Sequence, residues 1–220
     1  MLISAEIGSL HKQDQALAYE MIRRTAEAGA DIAKFQLGWP KEDAVRHIDP
    51  WALFLSESCA FFGIEFTASL WSLQGLNLAR MLNMRRYKVS HQVASATDPE
   101  VKRLFAAILS DGKETFISSV PPIRGAIKNA RWLYCVPKYP AYPRDLQIPG
   151  GMGAEAEYYG YSSHTHGIGD ALIAVARGAE YIEKHVTLDR ELTTRDAGYA
   201  ITFEELSELV RLSKEIVRLR

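Results

Sequence analysis

Residues 159–190 read YGYSSHTHGIGDALIAVARGAEYIEKHVTLDR. Two short strand-like runs, one leading into His164 and one into His185, enclose a small-residue helical segment. A strand, a helix and a second strand in this order suit a parallel pair, because a parallel strand needs a crossover to return. Parallel strands flanked by helices are buried on both faces. Yet these runs carry Ser162, His164, Glu183 and His185 on alternate positions, which share one face. Burying unpaired ionisable groups is costly, so the pattern predicts that this face opens into a polar cavity.

Working outward, the same alternation fills the chain. Strand candidates are LISAEIG, DIAKFQL, GIEFTAS, RYKVSH, ETFISS, RWLYCV, YYGYSS and EYIEKHVT. Helical patterns such as QALAYEMIRRTAEAG, DPEVKRLFAAILSDG and FEELSELVRLSKEIVRL separate most of them. Gly29, Gly112 and Gly178 stand where helices should end, and Asp98 with Pro99 marks a helix start. Eight such units predict an α/β fold: one closed (β/α)₈ TIM barrel over residues 1–220, near the lower size limit for that fold. A doubly wound open sheet is the alternative, and the first strand lacks the glycine fingerprint of a dinucleotide-binding domain. The last helix, with Leu206, Leu209, Val210 and Ile216 on one face, is expected to close the barrel.

Bulk properties narrow the function classes. The 220 residues are 47% hydrophobic and 24% charged, with a formal net charge of -1 and scattered basic residues. This offers no footprint for nucleic acid or an anionic membrane. The first residues begin a strand pattern rather than a signal peptide, and no stretch is long enough to span a bilayer. Cys59 and Cys135 lie in apolar runs and read as free thiols, so the expected location is cytoplasmic.

Strand parity gathers the polar residues. Glu6, Lys34 with Gln36, Lys88, Ser118, Ser162 and Glu183 fall on the inward positions of their strands, close to the C-terminal ends where barrel enzymes place their chemistry. Lysines from two strands with two serines suit a phosphate, and two histidines on neighbouring strands offer imidazole nitrogens to one divalent ion. Two ligands underdetermine a metal, and neither cysteine has a zinc-like spacing. Read alone, these residues indicate a barrel enzyme acting on a phosphorylated substrate, or else a satisfied structural network.

The segments AEIG with His11, AGADIAKFQ, YKVS, GKETFISS, YCVPKYPAYPRD, GYSSHT and GAEYIEKHVTLDR, with Asp196, resemble the sialic acid synthase family in order along nearly the whole chain. Those enzymes condense phosphoenolpyruvate with an N-acylated sugar aldehyde. The resemblance implies His164 and His185 as ligands of a divalent ion, manganese or magnesium, that polarises the aldehyde. It implies Glu6 as the catalytic glutamate and Glu183 as a carboxylate beside the metal histidine. Lys34, Lys88, Ser118 and Ser162 match residues that hold phosphoenolpyruvate, Gln36, Tyr139 and Asp196 match positions facing the sugar, and Ser69 stands where threonine is common. Glu6, Lys34, Lys88 and Glu183 form the implied catalytic set. The alternative is a weakened barrel that only binds a sugar or phosphorylated ligand, or serves as a subunit beside another protein.

Departures from the family pattern fall mainly on the sugar-facing side. Leu10 replaces an asparagine, Ser163 an aspartate and Ala197 a histidine, and SHQVASATDP breaks the usual pattern after strand four. Pro137, which strand parity puts in line with Cys135 and Tyr139, replaces a small polar residue that would contact the phosphate region. Family members carry a further antifreeze-like C-terminal domain that reaches the partner's site, whereas this sequence ends with the eighth helix. A homodimer or higher homo-oligomer, with a local loop or a separate capping partner at the mouth, is the expectation. His91 opposes Lys88 in parity and reads as outside the pocket. Trp39, Trp51, Trp71 and Trp132 read as packing residues, with Trp71 after strand three the foremost exception, His47 as surface, His166 as a helix edge, and Arg124 as an ordinary fifth-loop residue, a phosphate contact being the lesser alternative.

Overall fold

Alternating apolar residues and capped helices build a regular succession of elements in the computed structural model, which describes residues 1–38, 48–119, 127–191, 194 and 196–220. Trp39, His47 and Arg124 lie outside these residues. The strands are β1 (Leu2–Glu6), β2 (Ile32–Leu37), β3 (Glu65–Leu70), β4 (Arg86–Val89), β5 (Glu114–Ser119), β6 (Ala130–Cys135), β7 (Gly160–Ser163) and β8 (Tyr181–His185). They are parallel and close in sequence order, with β8 pairing back to β1, so the barrel reading holds and the open sheet does not.

Helices α1 (Gln15–Glu27), α2 (Ile48–Phe61), α3 (Leu73–Met81), α4 (His91–Ala94), α5 (Pro99–Ser110), α6 (Gly169–Ala176) and α7 (Phe203–Leu219) surround the strands. Their starts are written in the sequence. The side chains of Asp14, Ser72, Ser90, Asp98 and Thr202 each accept a hydrogen bond from the first turn, satisfying an otherwise orphaned N–H. On α7, Leu206, Leu209 and Val210 are buried and Ile216 packs against the core, and the helix contacts α6 and α1. It closes the barrel as expected.

The main core lies between strands and helices, built from outward-facing residues such as Ile3, Ala33, Phe35, Tyr87 and Ile117. Leu10 is fully buried within it, which accounts for an apolar residue at that position. A second cluster fills the barrel itself: Ile32, Phe116, Leu133 and Tyr181, with the Phe116 and Tyr181 rings stacked at 4.1 Å. Gly160 makes this possible, since a Cβ there would lie 2.2 Å from the Tyr181 carbonyl oxygen. This apolar plug seals the lower barrel, and the polar residues lie on the same strands closer to their C-terminal ends.

Candidate active site

All twelve residues singled out from the sequence line one cavity of about 380 Å³: Glu6, Lys34, Gln36, Ser69, Lys88, Ser118, Tyr139, Ser162, His164, Glu183, His185 and Asp196. Ser9, Trp71, Ser90, His91, Gln92 and Cys135 line it as well. Strand register brings distant residues side by side. Glu6 pairs with Lys34 on one side and His185 on the other, Ser69 pairs with Lys88, and Ser162 pairs with Glu183.

Lysines and carboxylates hold one another in place. Lys34 makes an ion pair with Glu6, donates to Ser69 Oγ at 2.9 Å and lies 3.7 Å from Glu183 Oε1. Lys88 donates to Ser118 Oγ at 2.8 Å and also lies 3.7 Å from Glu183 Oε1. Glu183 accepts from Ser162 Oγ at 2.9 Å and from the Tyr181 hydroxyl at 3.1 Å.

The two carboxylates titrate in opposite directions. Burial pushes Glu6 up to about 7, with Lys34 opposing and Glu183 adding to the rise. Burial acts on Glu183 too, but Lys34, Lys88 and the Ser162 hydroxyl outweigh it and hold that group at about 2. Burial lowers Lys88, while for Lys34 the two carboxylates outweigh burial and raise it. One glutamate thus stays an anion and the other can exchange a proton near neutrality, the separation expected of an acid–base site. Gly8 leaves room for Glu6, because a Cβ there would come 2.7 Å from Glu6 Oε1.

The histidines line the same cavity as the lysines, with ring centres 5.6 Å apart. Burial lowers each to about 3, helped by His185 for His164 and by Lys34 for His185, so both are neutral imidazoles. His164 Nδ1 donates to the Val136 carbonyl at 3.0 Å, which leaves the lone pair on Nε2. His185 Nδ1 is buried without a hydrogen bond, 3.9 Å from Asp196 Oδ2. Neutral, preoriented imidazoles suit a divalent ion. Among the described residues no group of three His, Cys, Asp or Glu side chains is gathered to hold such an ion.

Several expectations change. His91 lines the cavity, because the strand stops at Val89 and Ser90 caps a short helix, so strand parity ceases to apply. Pro137 is exposed, although Cys135 and Tyr139 on either side line the cavity, because β6 ends at Cys135. Trp71 both packs on the core and lines the cavity, whereas His166 is exposed. Tyr199 escaped sequence reasoning. It donates to Asp196 Oδ1 at 2.7 Å and its ring lies 5.2 Å from that of His185, through a 3₁₀ turn over Ala197–Tyr199.

Residues 44–219 match the NeuB family. The chain belongs to the NeuB family. Over 98% of its length it is 28% identical to the N-acetylneuraminate-9-phosphate synthase of Homo sapiens, covering 70% of that protein. It is 26% identical to the N,N'-diacetyllegionaminic acid synthase of Legionella pneumophila, over 95% of this chain and 70% of the relative. Among solved structures, the N-acetylneuraminic acid synthetase of Leptospira borgpetersenii in complex with citrate superposes with a TM-score of 0.81 at 26% identity, over 99% of this chain and 84% of that one. NeuB relatives of this kind carry the same barrel, and the residues named from the resemblance meet at its C-terminal mouth.

Proposed function

We propose that this NeuB protein condenses phosphoenolpyruvate with an N-acylated amino-sugar aldehyde, giving a nonulosonic-type 2-keto acid and inorganic phosphate. One observation carries the reading: two buried lysines, each on a serine hydroxyl and both 3.7 Å from Glu183, share one cavity with two neutral histidines. Relatives named as synthases of N-acylated nonulosonic acids support the substrate class. The binding-only alternative is not favoured, since the acid–base pair and the histidine pair stand together in the same cavity.

In this reading Lys34 and Lys88, with Ser69, Ser118 and Ser162, bind the phosphate and carboxylate of phosphoenolpyruvate by charge-assisted hydrogen bonds. Gln36, Tyr139 and Asp196 face the sugar. Carbon 3 of phosphoenolpyruvate bonds to the aldehyde carbon, water adds at carbon 2, and the bond from carbon 2 to the phosphate oxygen breaks with its electron pair on phosphate. The oxygen of water becomes the keto oxygen, and its two protons end on the former aldehyde oxygen and on phosphate. Glu6, which exchanges a proton near neutrality, relays one of them. His164 and His185 hold a divalent ion, manganese or magnesium, whose contribution is Lewis-acid polarisation of the aldehyde. Glu183 stays ionised and keeps both lysines aimed at the anion.

The reading extends to a cytoplasmic homo-oligomer. The buried thiols of Cys59 and Cys135 support a reducing compartment, and the aromatic face at α1 and α2, where Phe61 is 74% exposed beside Tyr19, supports self-association. Light scattering at micromolar concentration tests the assembly, and a monomer would exclude it. The assignment of the lysines to phosphoenolpyruvate is tested by titrating it into the wild-type protein and the Lys34→Met and Lys88→Met variants. Each variant is expected to lose about tenfold or more in affinity, and unchanged binding in both would overturn the assignment.

A further inference from the structure

A second buried polar cluster lies on the helix-facing side of β7 and β8, directly behind the cavity. Lys184 is 1% exposed there, with Ser163, Thr165 and Asp170 also buried. Glu183 and His185 line the cavity, so Lys184 between them turns outward to the first turn of α6. Its ammonium donates to Ser163 Oγ at 2.9 Å and to the Thr165 main-chain oxygen at 2.7 Å, and lies 3.6 Å from Asp170 Oδ1. Ser163 Oγ in turn donates to Asp170 Oδ2 at 2.5 Å.

A buried ion pair of this kind is a poor stabiliser compared with well-packed apolar side chains, so its location needs another account. The β7–β8 ladder ends at the pair Ser163 and Lys184, and His164 lies one residue beyond it. Past that point the ammonium itself continues the connection. It grips the carbonyl of Thr165, the residue after His164, from the residue before His185. On the other side His164 is held through its own carbonyl, which accepts from the Ala141 N–H at 3.0 Å. Ser163 cannot neutralise Lys184 itself, so the charge comes from Asp170 on α6.

We propose that the cluster of Lys184, Asp170 and Ser163 is a positioning device that sets the spacing of the His164 and His185 imidazoles from outside the barrel. None of the three lines the cavity, so they act through the histidines and not on substrate. The inference rests on reading that histidine pair as the ligands of a divalent ion. A carboxylate at position 163 would stand beside the same ammonium, so the charge can be moved from helix to strand without losing the device.

Manganese titration calorimetry, with a thermal melt of each protein, tests this. Asp170→Asn and Lys184→Met are expected to weaken manganese binding by about tenfold or more, the effect typical of residues that orient metal ligands. The double variant S163D/D170N should return to within about threefold of wild type, since it restores the carboxylate. Leu206→Ala, a core truncation on α7, should lower the melting temperature and leave manganese affinity unchanged. If Lys184→Met does not fold, Asp170→Asn and Ser163→Ala decide the matter, as both keep the ammonium. The proposal is overturned if these variants lose melting temperature yet keep wild-type manganese affinity. Absence of manganese binding by the wild-type protein would instead overturn the histidine assignment on which it stands.

Discussion

Ser162 Oγ donates a 2.9 Å hydrogen bond to Glu183 Oε1 across the strand pair in which the two residues are register partners. That same oxygen is the common neighbour of Lys34 and Lys88. A hydroxyl on one strand therefore fixes the carboxylate that holds two cations from two others. In the proposed reaction those cations receive an anionic substrate, so the serine and the glutamate prepare a site for charge that arrives only with the ligand.

Replacing Glu183 by glutamine should leave Lys34 and Lys88 under-compensated in a buried site. The expected cost to the ligand-free protein is about 3–5 kcal/mol. Phosphoenolpyruvate should then raise the melting temperature of Glu183→Gln by more than it raises that of the wild type, because the anion replaces the lost charge. Thermal melts with and without phosphoenolpyruvate check this, and an equal shift in both proteins would contradict it.

Glu6→Gln keeps the size of the side chain and removes its titration. With the wild-type group near 7, the pH profile of kcat/KM should bend close to neutrality, and that bend should vanish in the variant. Turnover should fall far more than phosphoenolpyruvate affinity. A variant whose profile still bends near pH 7 would remove Glu6 from the proton transfers.

His164→Ala and His185→Ala should each weaken manganese binding strongly while leaving the fold intact. Each removes one of the paired imidazoles proposed to hold the ion, and neither side chain belongs to the barrel's apolar plug. Calorimetry and circular dichroism on the same samples provide the check. Unchanged affinity in both variants would refute the assignment, and loss of folding would mark the pair as structural.

His11 gives a test of stability separate from the chemistry. Burial lowers it to about 4, and it packs against Phe35 and Trp51 while its Nδ1 accepts from the Gln13 N–H at 3.0 Å. The folded state thus refuses a proton that the unfolded chain accepts below about pH 6.5, so this residue removes stability as pH falls from about 6.5 towards 4. The slope is about 1.4 kcal/mol per pH unit. Urea unfolding between pH 7 and 5 should show His11→Phe losing less stability on acidification than the wild type. Parallel curves would show that His11 is protonated in the fold.

Most of the barrel was legible because each βα unit carries its own local signals. ETFISS and FEELSELVRLSKEIVRL match β5 and α7 residue for residue. The cavity residues were legible because period-two alternation within a buried strand leaves a polar side chain only one direction to face. That logic failed where the strand stopped. His91 and Pro137 were read by parity beyond the last strand residue, and the backbone had already turned. Tyr199 was invisible for a related reason, as a 3₁₀ turn after an irregular segment brings it to His185. The outward cluster of Lys184 and Asp170 joins a strand to the helix before it, a pairing that no single-element pattern encodes.

The central claim is a reaction, and its stoichiometry tests it most directly. Wild-type protein should be incubated with phosphoenolpyruvate, an N-acylated hexosamine panel and manganese, with phosphate and 2-keto acid measured in the same samples. The account predicts that phosphate appears only when all three components are present, in equal amount to a new keto acid. Phosphate release that ignores the acceptor, or none with any acceptor in the panel, would contradict it.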